Sequence, residues 1–256
     1  MSKIFSAKWT TSCRKIEIDI NYLCHLKCPA CNRSCTQAPS PERISLQQIE
    51  KFIQESIDNK RRWEVIRVVG GEPALHPDFS QILDRLREYK LRNSPDTKLT
   101  VVTNGSGPAV GEALKKVPVE YKIENTRKEN KGYEHISFND APRDDVAHLF
   151  FDYSAGCEIR SCCGMGMTPY GYYCCAIAGG IDRIVGLDLG RKALPPEGDD
   201  LSDQTLRLCA YCGHFIWGRV PSKALNSRGI FFNIFSRSWR SAYGQYRKQT
   251  PKLLPY

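Results

Sequence analysis

At 256 residues the chain has room for one large domain, or for one domain with a smaller module. Its 41% hydrophobic and 25% charged content is that of an ordinary globular protein, and no apolar run is long enough to cross a bilayer. The net charge of +9 is concentrated at the end: residues 213–256 hold eight basic residues (Arg219, Lys223, Arg228, Arg237, Arg240, Arg247, Lys248 and Lys252) and no acidic one. Such a tail attracts anionic partners or serves as a solvated basic face.

The opening, MSKIFSAKWTTSCRK, lacks the apolar core of a signal peptide. A cytoplasmic location is expected, and twelve cysteines there argue for metal ligation over disulfides. Alternation of Ile16, Ile18 and Ile20 predicts a strand over 15–24 that runs into a loop holding Cys24, Cys28 and Cys31. The segment from Asn32 to Arg43, with Pro39 and Pro41, is a connector or a lid. Ser45 and Gln48 form a capping box for a helix with Leu46, Ile49, Ile53 and Ile57 on one face. Residues 63–69 read as a strand ending in Gly70, Gly71, Glu72 and Pro73. Asp78 is placed to cap a helix burying Phe79, Ile82, Leu83 and Leu86. A third strand over 99–103 ends in Thr103-Asn104-Gly105, and a short helix follows over 109–116. Two further strands are expected over 121–124 and 135–138, with 126–132 an exposed loop and Glu124-Asn125 at a strand end facing substrate. This alternation predicts an α/β fold, a partial (β/α)5-6 TIM-like barrel over residues 12–150, with a small cysteine-rich C-terminal extension over 151–256.

Three cysteines at spacings of three and two let one loop wrap a single metal centre, and on a four-iron cubane they leave one iron free. The pattern C-x3-C-x2-C resembles the signature of the radical S-adenosylmethionine (radical SAM) enzymes. The resemblance implies that Cys24, Cys28 and Cys31 hold a [4Fe-4S] cluster whose open iron is chelated by SAM. Electron transfer then cleaves SAM to methionine and a 5′-deoxyadenosyl radical, which takes a hydrogen atom from substrate. Gly70, Gly71, Glu72 and Pro73 match the family's GGEP motif, with Glu72 the acceptor for the SAM ammonium. Thr103 and Asn104 match the family's TNG strand end beside SAM. The chain departs from the family just before the third cysteine, where Ala30 replaces a bulkier residue near the adenine.

After residue 150 cysteines recur at 157, 162, 163, 174, 175, 209 and 212, with Gly171-Tyr172-Tyr173 reading as a turn feeding a strand. This resembles the twitch/SPASM extension, which binds an auxiliary [4Fe-4S] cluster. By position that implies Cys157, Cys175, Cys209 and Cys212 as ligands, with Cys163 in reserve for Cys157 and Cys174 for Cys175. Structural zinc is the competing occupant, because two cysteine pairs also suit a tetrahedral site. Cys13 and Cys35 stay unassigned. Buried packing accounts for them, or Cys35 acts catalytically as a hydrogen-atom donor. Trp239, Ala242, Tyr243 and Tyr246 share one face of a final helix. His25 and His214 adjoin cluster cysteines and are placed to hydrogen-bond to them.

The expected function is radical SAM chemistry on an anionic small molecule or a peptide, with electrons from a flavodoxin or ferredoxin and no membrane partner. Dehydrogenation, crosslinking and epimerisation all stay open. No region of roughly eighty residues is free for a leader-peptide domain, which tilts the expectation toward a small molecule or a peptide presented by another protein. Two alternatives stand beside it: a radical SAM enzyme acting on RNA, and a zinc-stabilised nucleic-acid-binding module.

Overall fold

The computed structural model describes residues 8–28, 30–126, 138–148, 150–217 and 235–256. The strand expected over 135–138 falls mostly outside these residues, as does most of the loop expected over 126–132.

Four strands and three helices alternate in the first half: β1 Lys15–Asp19, α1 Leu46–Asp58, β2 Val65–Val69, α2 Phe79–Asn93, β3 Lys98–Thr103, α3 Pro108–Leu114 and β4 Tyr121–Asn125. Strands β1 to β4 are parallel neighbours in chain order. After a short helix α4 (Ile159–Cys162), strand β5 (Met165–Thr168) pairs in parallel with the free side of β1, and β6 (Gly171–Tyr173) turns back antiparallel to it. The sheet therefore has six strands in the order β4-β3-β2-β1-β5-β6 and is not closed. Among the described residues four helices follow: α5 Ala176–Val185, α6 Ser202–Leu208, α7 Gly213–Trp217 and α8 Arg237–Lys248.

Side chains alternate across each strand, and that alternation decides which face carries chemistry. Ile16, Ile18, Ile66, Val68, Leu99 and Val101 pack against α1 and α2 in the main core. Their neighbours Glu17, Asp19 and Arg67 face the other way and form the polar side of the sheet. A second core joins Tyr22, Cys35, Tyr173, Ile177, Ile181, Trp239 and Tyr243, with Cys24 and Cys31 packed against its edge.

Several local expectations are corrected. Strand β1 stops at Asp19, and Asn21 continues only as an isolated bridge to Arg43. The capping box of α1 is present, but the buried line runs through Ile49, Phe52 and Ser56, leaving Ile57 38% exposed. Ser56 is drawn inward because its hydroxyl accepts from Trp63 Nε1 at 3.0 Å and donates to the Phe52 carbonyl at 2.8 Å. Asp78 holds the cap position of α2 without a side-chain cap, and its own N–H donates to His76 Nδ1 at 3.0 Å. The loop 32–43 is a packed wall, with Ser34, Cys35 and Ala38 buried and the Ser34 hydroxyl 2.8 Å from that of Tyr243.

Candidate cluster and cofactor site

The register places the ends of β1 and β2 side by side, Asp19 opposite Val69, and Val68 opposite Val101 carries the alignment to β3. The three loops leaving these carboxyl ends meet around one cavity of about 210 Å³. Its walls include Cys24, Cys28 and Cys31 after β1, Gly70 and Gly71 after β2, and Thr103 and Asn104 after β3. This is where ligands gather in open α/β sheets.

The motif side chains hold this arrangement together. Gly70 has a φ of +138°, and a Cβ there would lie 2.4 Å from the Asn21 carbonyl oxygen. At Gly71 a Cβ would lie 2.3 Å from the Leu23 carbonyl oxygen. The glycines thus admit residues 21–23, which accept from Gly71 N–H at 2.9 Å and Glu72 N–H at 2.8 Å. The same absence of side chains leaves main chain as the cavity wall.

Glu72 differs from the sequence expectation. It is fully buried and outside the cavity lining. One carboxylate oxygen accepts from Thr103 Oγ1 at 2.7 Å and Ala74 N–H at 3.2 Å, the other from Asn104 N–H at 2.8 Å. In this arrangement it latches the end of β2 to the end of β3, with internal donors on three of its roughly four lone-pair sites. Pro73 is buried in the one-turn helix that Glu72 caps, away from the cavity. Asn104 is likewise engaged inside the fold, since Nδ2 reaches Cys24 Sγ at 3.8 Å and Oδ1 accepts from Ser106 N–H at 2.8 Å. An amide donor on a cysteine sulfur is the kind of outer partner that would tune a thiolate centre. Asn125 packs against Gly105, where a Cβ would meet its amide at 2.0 Å, and Glu124 pairs with Lys122 at 3.0 Å.

Sequence reading missed Arg33, two residues past Cys31. Its buried guanidinium donates to Glu17 at 2.8 Å and to Asp19 at 3.2 Å, fastening the cysteine loop to β1. Burial works against the Arg33 cation, yet the Asp19 and Glu17 carboxylates outweigh it and leave its pKa above the ordinary value. Burial also pushes the Asp19 carboxyl up to about 6, against the pull of Arg33. The signal was in β1, where Lys15, Glu17 and Asp19 alternate with the apolar face. Cys35 lines the same cavity, and its thiol is 3.9 Å from the Arg33 carbonyl.

A second cavity is lined by Cys157, Cys175, Cys209 and Cys212 together with Ile177, Ile181, Leu208 and Phe215. Hairpin β5–β6 delivers Cys175 as the N-cap of α5, where its sulfur accepts from Ala178 N–H at 3.4 Å. Burial pushes the Cys157 thiol up to about 12 and the Cys212 thiol well up too. Four thiolates therefore need a cationic centre to coexist there. Cys163 is not brought to this group: its thiol lies 3.6 Å from Cys162 Sγ and 3.9 Å from Arg67, on the polar side of the sheet. Its place next to β5 separates it from Cys157, which precedes α4. Cys174 is not part of the lining, and its N–H donates to Gln204 at 2.7 Å, but its thiol hydrogen-bonds with those of Cys175 and Cys209 and so stays beside the group.

Both donor sets fit iron–sulfur ligation in number and kind. Among the described residues, no three Cys, His, Asp or Glu side chains stand at the spacing of a single metal ion. A cubane distributes its ligands over separate irons. Arg160 adds an electrostatic indication at the second cavity, which its side chain lines while 1% exposed. Among the described residues its guanidinium donates only to neutral oxygens: Thr11 Oγ1 at 2.9 Å, the Trp9 carbonyl at 2.7 Å and the Asp200 carbonyl. A buried cation without a carboxylate partner favours an anionic neighbour, and a four-thiolate centre is one.

Residues 18–124 match the family model described as the radical SAM superfamily. A 92-residue stretch is 25% identical to "Probable GTP 3',8-cyclase" of Methanococcus maripaludis, covering 36% of this chain and 28% of that protein. Among solved structures, BtrN in complex with AdoMet and 2-DOIA aligns with a TM-score of 0.42 at 13% identity, over 86% of this chain and 92% of that one. Streptococcus suis SuiB bound to precursor peptide SuiA aligns with a TM-score of 0.31 at 20% identity, over 45% of this chain and 24% of that one.

Proposed function

We propose, from the match of residues 18–124 to the radical SAM superfamily model, that this chain is an enzyme that reductively cleaves SAM and abstracts a hydrogen atom from an anionic small molecule or a peptide. When bound, the cluster and SAM supply a 5′-deoxyadenosyl radical. The observation that carries the reading is the convergence of Cys24, Cys28, Cys31, Gly70, Gly71, Thr103 and Asn104 on one cavity at the strand ends.

In this reading Cys24, Cys28 and Cys31 ligate the cluster, and Asn104 Nδ2 holds the Cys24 sulfur. Main chain at Gly70 and Gly71 offers the surface against which the methionine end of SAM rests, while Glu72 and Pro73 hold that main chain in place. Arg33 fixes the far end of the cysteine loop. Cys157, Cys175, Cys209 and Cys212 form the auxiliary [4Fe-4S] site of a twitch/SPASM-like region over 151–256, balanced by the Arg160 charge. Cys35 reaches the first cavity and is the candidate for returning a hydrogen atom where the net reaction is redox-neutral. The reductant is a flavodoxin or ferredoxin, and the setting is cytoplasmic.

Anaerobic reconstitution with SAM and dithionite, followed by mass spectrometry, tests the reading. Formation of 5′-deoxyadenosine is expected, with about eight irons and eight sulfides per chain for two cubanes. Cys28→Ala is expected to abolish SAM cleavage, whereas Cys212→Ala retains the first cluster and loses about four irons. Continued SAM cleavage by the Cys28 variant, or a colourless protein holding zinc alone, would refute it.

A further inference from the structure

Helix α8 presents two faces with different demands. Trp239, Ala242, Tyr243 and Tyr246 are buried, and Arg237, Arg240, Arg247 and Lys248 are exposed. At 3.6 residues per turn the four cations fall within an arc of about 100° opposite the aromatic face. The helix contains no acidic residue. No ion pair among the described residues involves any of the four. At the helix entry Asp144 accepts from the Ser238 N–H at 2.7 Å and hydroxyl at 2.6 Å.

At its N-terminal end this distribution is unfavourable for the helix alone. Arg237 and Arg240 lie in its first turns, where the macrodipole disfavours cations, and like charges on one face repel. Core packing explains the aromatic face, and the helix dipole favours Arg247 and Lys248 in the last turn, which leaves Arg237 and Arg240 without a structural use.

The buried face meets the first cysteine loop. Tyr243 Oη is 2.8 Å from Ser34 Oγ, three residues past Cys31. Tyr246 Oη accepts from Arg183 at 2.9 Å, and Arg183 in turn donates to the Arg33 carbonyl at 3.1 Å. One helix thickness, about 10 Å, separates the basic face from that loop.

We propose that the outer face of α8 is the docking surface for an acidic, one-electron carrier protein of the flavodoxin class. The inference rests on the radical SAM reading, which requires one electron per SAM cleaved and supplies no internal source. Docking on α8 sets the carrier beside the first cysteine loop, so the carrier is oxidised by one electron and the bound cluster is reduced by one. Charge complementarity selects the acidic carrier.

The test uses the double variant Arg240→Glu/Arg247→Glu in the full chain. Binding of oxidised flavodoxin to the iron-free protein, followed by fluorescence anisotropy at low ionic strength, is expected to weaken at least tenfold. In reconstituted enzyme, 5′-deoxyadenosine formation driven by flavodoxin hydroquinone is expected to fall by a similar factor, and added salt should suppress the wild type more than the variant. Dithionite-driven cleavage should be unchanged. Equal losses with both reductants, or unchanged flavodoxin binding, would overturn the docking surface. Loss of RNA binding with flavodoxin behaviour intact would assign the face to nucleic acid and overturn it as well. Absence of dithionite-driven cleavage in the wild type would instead sink the radical SAM reading.

Discussion

Replacing Glu72 with Ala is expected to destabilise the iron-free protein by about 2–5 kcal/mol, because three donors lose their acceptor inside the fold. Thr103 Oγ1, Ala74 N–H and Asn104 N–H all converge on that carboxylate, which is 0% exposed. The loss should appear as a lower midpoint in urea unfolding, before any cofactor is added. SAM affinity should fall with it, since the cavity wall at Gly70 and Gly71 is anchored by the same latch. Glu72→Gln keeps one acceptor oxygen but turns an amide donor toward other donors, so an intermediate loss is expected. A protein that keeps full stability and loses only SAM affinity would return Glu72 to the ammonium-binding role read from the sequence.

Ending the chain at residue 150 is expected to leave a fragment without a cooperative unfolding transition. Strand β5 covers the open side of β1, with Ile16 opposite Met165 and Ile18 opposite Met167. Met165, Met167 and Tyr172 are all 2% exposed or less. At about 1.5–3 kcal/mol per buried side chain, their loss removes up to about 5–9 kcal/mol. The whole domain is worth only about 5–15 kcal/mol. The cut also uncovers a strand edge flanked by isoleucines, which invites aggregation. Circular dichroism and thermal melting of the fragment decide the matter, and a soluble fragment with a sharp melt would show that the first lobe folds alone.

The first-half elements were legible because period-two and helical patterns announce themselves locally. The three site loops were legible because strand ends followed by cysteine, glycine and polar residues are short-range signals. Roles that depend on distant partners were not. Glu72 and Asn104 lie 32 positions apart, and nothing near Glu72 reveals that Asn104 will occupy its carboxylate. Choosing between Cys157 and Cys163 required knowing that Cys163 stands just before β5, beside Arg67 on the polar side of the sheet. The sheet's continuation past residue 150 was also hidden, since β5 and β6 are short and rich in glycine and methionine. Charged residues in β1 were readable in principle. Glu17 and Asp19 occupy the non-isoleucine positions of a buried strand, so a cation had to meet them, and Arg33 does.

Helix α5 has a consequence for biosynthesis. Gly180 brings it within van der Waals contact of Asn32 and Arg33, and Arg183 lies 4.3 Å from the centre of the Tyr22 ring. The contacts that set the first cysteine loop span 150 residues to Arg183 and 209 to Tyr243. The ribosome therefore releases the three thiols long before it makes the residues that shape their nest. A nascent chain must shelter unfinished, oxidisable sulfur until helix α8 has emerged, so iron delivery belongs after that helix is made.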